Sequence, residues 1–415
     1  MEDYSIVIFI LTIMIGLSAL ADKIKLSYPI LLIVAGIGIG FIPSMPHIKL
    51  NPEVIFLIFL PPLLYDAAFN ISFQSFMTNI NTISTLAIVL VFITATGIAV
   101  IAHYMIPGMT WPLSFVLGSI LAATDAVAAI SITKGLGLSH NTTTILEGES
   151  LVNDASALVA YRFAVAAVSG TAFVFWKGSL EFLLLFGGGL LVGFTMGKLL
   201  GFILTRVKEN TMVTISFMLL MPFVTYLVAE ELHVSGVIAV VLLGLAISRF
   251  SRKILPEQLK RQSRTIWDVI MFLLNGLIFI FIGLEFPYVV KSIDSSRIWP
   301  FVGYAFIITV VAFFLRLIRV LLQRVNLQRA FQSKKARISE EALLSFQDSI
   351  IISWSGMRGI VSLAIAIGLP VSLENGSPFP ERSTIVFISV VVVLFTLLGQ
   401  GLTLPWVVRK LRSKG

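Results

Sequence analysis

Apolar residues fill this chain in long blocks, without the alternation of a half-buried strand or the one-sided stripe of a soluble helix, and the blocks recur almost from end to end. About twenty apolar residues cross the roughly 30 Å of hydrocarbon in a bilayer. Cutting the pattern at its polar interruptions predicts thirteen spanning helices, at about 4–21, 27–43, 53–69, 80–102, 113–133, 143–168, 179–205, 211–229, 233–249, 266–287, 300–322, 346–369 and 384–408. The expected fold class is an all-α integral membrane protein whose single transmembrane domain takes up residues 1–415, with no room for a sizeable soluble domain.

Composition sharpens this reading. Only 13% of residues are charged and the mean hydropathy is +0.97, whereas soluble domains carry about 25% charge. The net charge of +8 would suggest nucleic acid in a soluble protein, but here the basic residues gather at alternate loops, so no nucleic-acid partner is expected and membrane lipid is. One set of loops carries Lys23, Lys25, Lys134, Arg206, Lys208, the stretches Arg249 to Arg264 and Arg324 to Arg337, and Arg409 to Lys414. The other carries Lys49, Lys177, Lys291, Arg297 and Arg382. Because Lys and Arg collect on the cytoplasmic side, an odd number of spans puts the N-terminus outside and the C-terminus in the cytoplasm. The acidic start MEDY lacks the basic region of a signal peptide, so the first span is expected to be retained. With no cysteine, disulfides and thiolate chemistry are excluded.

Small and kinking residues mark packing within the spans. Gly189, Gly193, Gly197 and Gly201 recur every four residues in the seventh span, giving a flat face for close backbone approach. Pro61 and Pro62 are expected to kink the third span, one turn before Asp66.

Charges inside a bilayer are costly, so each is a functional candidate facing a cavity or a partner. Asp125 lies near the middle of the fifth span in GSILAATDAVAAIS, behind Thr124 and two alanines that permit local unwinding. An unwound helix at that depth offers carbonyls and helix ends as ion ligands. The sixth span opens EGESLVNDASAL; Ser150 and Asp154 share one helical face, while Glu149 and Asn153 share the adjoining one. A hydroxyl beside a carboxylate suits a hard, weakly bound cation such as Na⁺. Arg358, between Gly356 and Gly359 in the twelfth span, requires an acidic partner, and Glu149 is expected to supply it in a structural ion pair. Glu147 is assigned to the cytoplasmic entrance. Arg162 and Lys198, nearer the span ends, are expected to snorkel to the headgroups. His47, His103, His140 and His233 fall at or near loops without metal-ligand spacing. The fifth and twelfth spans, seven apart and oppositely directed, have the pattern of inverted-topology repeats with two broken crossing helices.

FLPPLLYDAAF, ATDAVAA, EGESLVNDASAL and SWSGMRGIVSLAIA closely resemble, in order, successive motifs of the cation:proton antiporter family, in its sodium/proton antiporter and exchanger branch. The resemblance covers about residues 1–410. It implies a core (about 76–178 and 300–410) moving against a scaffold (about 1–75 and 179–290) in an elevator-like alternating access, usually within a homodimer. Carried over, Asp154 is the carboxylate that takes cation or proton, Asn153 its orienting neighbour, Ser150 a hydroxyl ligand and Thr124 a carbonyl ligand. Asp125 would shape the site and Asp66 would approach from the scaffold, so that Na⁺ is held by Asp154, Ser150, Thr124 and Asp66. Glu149 and Arg358 match the family's intramembrane ion pair. The chain stops soon after the last span, unlike animal exchangers with their long tail, which sets the expectation of a prokaryotic protein or a trimmed chain.

The function expected is secondary active exchange of Na⁺, or of Li⁺ or K⁺, for H⁺ across the plasma or inner membrane, serving pH homeostasis, with no enzyme activity and no cofactor. Burial disfavours a charged carboxylate and a bound cation favours it, so competition at Asp154 would enforce exchange. With Asn153 neutral, one acid carries one positive charge either way, and exchange should be electroneutral and one-for-one. A K⁺ efflux channel or K⁺/H⁺ antiporter-like system is the alternative. An intramembrane enzyme lacks a midplane Ser/His pair or a metal-binding His cluster.

Overall fold

Inside hydrocarbon, every backbone N–H and C=O must be satisfied within the protein, and uniformly apolar segments do so as helices. The computed structural model describes residues 2–24, 28–42, 52–133, 136–170, 175–291, 293–333, 339–373 and 376–412. Lys25, His47, Lys49, Lys134, Lys334, Lys335, Arg337 and Lys414 lie outside the described residues.

Among the described residues the protein is all-helical, and each of the thirteen expected spans is present. Seven helices are both long and apolar enough to cross a membrane by themselves. Shorter apolar helices make up other spans, among them Trp111–Ala122. The fifth span is two half-helices, Trp111–Ala122 and Ala126–Thr133, and the twelfth is Phe346–Trp354 followed by Ile360–Ile367. The third span, Pro52–Asn70, continues as helix through both prolines.

Two features depart from the hydropathy reading. The eleventh span runs from Ser295 to Gln332, so the basic stretch that begins at Arg324 starts as helix rather than loop. Likewise Gly236–Ile254 carries Arg249 and Arg252 within its last turns, and the next helix begins at Glu257. The break between them follows from Pro256: Leu255 takes an extended ψ of 136°, the conformation forced on a residue before proline. Hydropathy marks where lipid ends, not where a helix ends.

The glycine stripe of the seventh span packs as its spacing predicts. A Cβ at Gly189 would meet the Ser235 carbonyl at 2.7 Å, and one at Gly193 would overlap the Ala239 carbonyl. The second and tenth spans cross as closely, Gly36 against Gly283. One large apolar cluster joins Ile10, Leu32 and Phe279 to Ile120, Leu363 and Val392, drawing the first, second and tenth spans onto the fifth, twelfth and thirteenth. A second gathers the third, seventh, eighth and ninth spans around Tyr65, Leu200, Met218 and Leu243. The ion-binding candidates lie where these clusters adjoin.

Candidate functional site

The two broken helices meet at their breaks. Ala123 turns out of helix with ψ 140°, and the Asp125 backbone N–H donates to the Met357 carbonyl at 2.8 Å. Gly359 permits the crossing, since a Cβ there would overlap the Asp125 carboxylate. The Asp125 side chain in turn accepts from the Ala128 N–H at 3.4 Å, capping the half-helix that follows it.

Broken helices leave carbonyls unpaired, and Arg358 satisfies two. Its Nε donates to Leu121 O at 3.0 Å and its Nη1 to Gly356 O at 2.8 Å, while its backbone N–H donates to the Thr396 hydroxyl at 3.1 Å. Thr396 opens a π-helical turn, Thr396–Gln400, inside the last span. Arg358 is thus a buried clamp on the breaks.

Glu149 is paired elsewhere, which corrects the expected Glu149–Arg358 pair. Arg316 of the eleventh span engages both Glu149 oxygens, with Nη2 to Oε2 at 2.8 Å and Nη1 to Oε1, and its Nε donates to Ile352 O at 3.1 Å. Both side chains are buried, and a two-pronged guanidinium contact is the geometry that offsets desolvation best. Sequence reasoning missed Arg316 although a signal existed. The buried face of that helix is Phe301, Ala305, Ile308, Ala312, Arg316, Val320, Gln323 and Leu327, a stripe at helical spacing into which an arginine intrudes.

The sixth span, His140–Val168, carries the remaining ligand candidates. Asn153 Nδ2 donates to the Thr124 hydroxyl at 2.6 Å and to the Thr124 carbonyl at 3.3 Å. The Thr124 hydroxyl donates onward to Glu149 Oε1 at 3.3 Å. Ser150 donates to the same Thr124 carbonyl at 3.2 Å and accepts from the Ala126 N–H at 3.3 Å. Both lone pairs of the carbonyl expected to ligate Na⁺ are therefore already engaged. Among the described residues Asn153 Oδ1 has no hydrogen-bond partner, although it is buried.

Asp154, Asp125, Thr124 and Ser150 line one cavity of about 50 Å³, several times the volume one water centre needs. Asp154 is 7% exposed, and Asp125 and Glu149 are its charged neighbours. Among the described residues its carboxylate takes part in no hydrogen bond or ion pair. Asp66 is not brought into this cavity. Leu63 and Ala67 of the third span line it instead, and the Asp66 carboxylate accepts from Asn70 Nδ2 at 3.1 Å, with Glu147 nearby.

Three more polar contacts went unread in the sequence. Asp348 accepts from Thr142 at 2.8 Å and from Ser345 at 2.6 Å, tying the start of the twelfth span to that of the sixth. Arg162, expected to snorkel, pairs through Nη2 with both Glu230 oxygens at 3.0 and 3.1 Å. Arg382 donates to the Ile367 and Leu369 carbonyls at 2.9 Å each, closing the end of Ile360–Ile367. Among the described residues no group of three or more His, Cys, Asp or Glu could hold a metal ion.

Two half-helix pairs broken at one level, with carboxylates and hydroxyls in a small cavity between them, define a membrane transporter of the discontinuous-helix class. The family model for the transmembrane part of sodium/hydrogen exchangers matches residues 8–410, and the chain belongs to that family of transporters. It is 35% identical over 413 residues to a sodium, potassium, lithium and rubidium/H⁺ antiporter of Bacillus pumilus, covering 96% of this chain and 60% of that protein's length. It is 30% identical over 419 residues to the Na⁺/H⁺ antiporter NhaH of Halobacillus aidingensis, covering 98% of this chain and 97% of the relative. In fold it is similar to the sodium/proton antiporter MjNhaP1 of Methanocaldococcus jannaschii, with a TM-score of 0.73, 20% identity and 99% coverage of both chains.

Proposed function

We propose that this protein exchanges Na⁺ for H⁺ across the plasma or inner membrane, one for one, with Asp154 as the shared site and pH homeostasis as its role. The observation that carries the reading is the Asp154 carboxylate, buried in a mostly apolar cavity where, among the described residues, no protein donor neutralises it. A buried carboxylate is stable when protonated or when paired with a cation, and the two exclude one another. An empty, charged site is the costly state. Crossing between the two sides therefore favours a loaded carrier, and that preference couples the fluxes.

The printed activities of the Bacillus pumilus and Halobacillus aidingensis relatives support a monovalent cation as substrate. The former's breadth supports K⁺ and Li⁺ as second substrates. We assign residues 76–178 and 300–410 to the moving core and residues 1–75 and 179–290 to the scaffold of an elevator, in a homodimer whose N-terminus is outside and C-terminus cytoplasmic. The two broken helices, locked together by Arg358 and the Asp125–Met357 hydrogen bond, have the rigidity such a core requires.

Purified protein in liposomes tests the stoichiometry. One net charge per cycle would couple transport to a membrane potential by about 2.3 kcal/mol per 100 mV, roughly fifty-fold in an equilibrium. One-for-one exchange leaves the sodium-driven pH gradient unchanged when the potential is clamped or imposed; a tens-of-fold response would contradict it. A channel would pass K⁺ down its gradient without moving protons.

A further inference from the structure

The second wall of the cavity carries a hydroxyl with no role assigned so far. Ser362 lies on Ile360–Ile367, the half-helix that follows the break of the twelfth span. It is buried, 1% exposed, yet it lines the same cavity as Asp154, Asp125 and Ser150. Its Oγ donates to the Ala123 carbonyl at 3.3 Å, in the break of the fifth span.

Acceptor capacity separates this serine from its counterpart. A hydroxyl has one donor and two lone pairs. Ser150 gives its proton to Thr124 O and takes the Ala126 N–H on one lone pair, so one lone pair remains. Ser362 gives its proton to Ala123 O, and among the described residues no donor approaches its oxygen, so both lone pairs remain. The carbonyls beside it are partly engaged: Thr124 O accepts from both Ser150 and Asn153, while Leu121 O accepts once, from Arg358, and Ala123 O once, from Ser362 itself. A small hard cation in this cavity needs several oxygens, and the Thr124 carbonyl that the unwound helix would lend has both lone pairs engaged in internal hydrogen bonds.

We propose that Ser362 is a specificity-determining residue, a hydroxyl ligand supplied by the second broken helix that meets the cation opposite Asp154 and Ser150. This rests on the reading of Asp154 as the exchange site. Holding its proton on Ala123 O aims its lone pairs away from that carbonyl, and does so whether or not the ion is present. The sixth span and the second broken helix thereby contribute one serine each, both anchored on the break of the fifth span, and the ion closes a bridge between them. Cation radius would then be read by the gap between the sixth span and the half-helix Ile360–Ile367, whose serines are both bonded to the break of the fifth span.

The test is exchange by the full chain in liposomes, with Na⁺, Li⁺ and K⁺ titrated in turn over a series of pH values. For Ser362→Ala, the half-saturating Na⁺ concentration is expected to rise about tenfold, as for loss of a polar contact to a charged group, while the rate at saturating Na⁺ is kept. Weaker cation binding competes less well with the proton, so at fixed Na⁺ the acid limb of the activity curve moves to higher pH, by about one unit for a tenfold loss under simple competition. Ser362→Thr keeps the hydroxyl and narrows the gap by a methyl group, so it should restore Na⁺ affinity or tilt preference toward Li⁺. If Ser362→Ala is not recovered, Ser362→Cys reads the same quantity, since sulfur is a poor ligand for alkali ions. Unchanged half-saturation and an unmoved pH curve in the alanine variant, with only maximal rate or yield lowered, would make Ser362 a helix clamp and overturn the proposal. That outcome differs from failure of the exchange reading itself, in which the wild-type protein moves no protons in response to any of the three cations.

Discussion

At the residue scale, the buried charges divide into those that hold the breaks and those that face the cavity. Glu149 and Arg316 satisfy each other, so Glu149→Gln leaves a buried guanidinium uncompensated, at a cost of about 3–5 kcal/mol. A double-mutant cycle on thermal or denaturant unfolding should give a large coupling for Glu149 with Arg316 and a smaller one for Glu149 with Arg358; the reverse order would favour the pairing expected from sequence. That expectation failed for an identifiable reason. Arg358 needed a partner by charge counting, but the carbonyls of Leu121 and Gly356 answered it, and dipoles at helix ends cannot be counted in a sequence. The candidates legible from residue type and spacing, Thr124, Asp125, Ser150 and Asp154, do share one cavity. Asp66 does not, because the face a side chain takes near a helix end depends on neighbours the sequence does not name.

At the element scale, glycine placement decides whether two helices touch. Gly359→Ala puts a methyl group into the Asp125 carboxylate, which should cost about 1–3 kcal/mol as overpacking and also abolish exchange, because the clash lies at the crossing itself. Gly193→Leu, by contrast, drives a side chain into the ninth span near the Ala239 carbonyl. It should lower the thermal midpoint in detergent while the surviving protein keeps its half-saturating cation concentration; a changed cation affinity there would show that the seventh and ninth spans reach the site. The stripe was legible because its period matches the helix, and the broken spans were legible from their small, polar middles. The helical extension of the eleventh span to Gln332 was not, since beyond the lipid it is polar residues with good helix propensity that continue the turn, and hydropathy reads them as loop.

For the whole molecule, the thirteen spans and their all-helical class follow from apolar block length alone, whereas the order in which the spans pack does not. Sequence distance gives no hint that the third span would lie against the ninth, with Gly244 facing Ala68 and the Tyr65 carbonyl. On the proposed reading, function at this scale reduces to one exchangeable carboxylate, held beside two broken helices and reached by cation and proton in turn. The direct measurement is sodium-driven proton flux in liposomes holding equal amounts of folded wild-type or Asp154→Asn protein, across pH. The wild type should acidify or alkalinise the lumen according to the sodium gradient, and Asp154→Asn, which keeps the shape and removes the charge, should show none at any pH. Residual sodium-dependent proton movement in Asp154→Asn would place the exchange on another group and contradict the assignment.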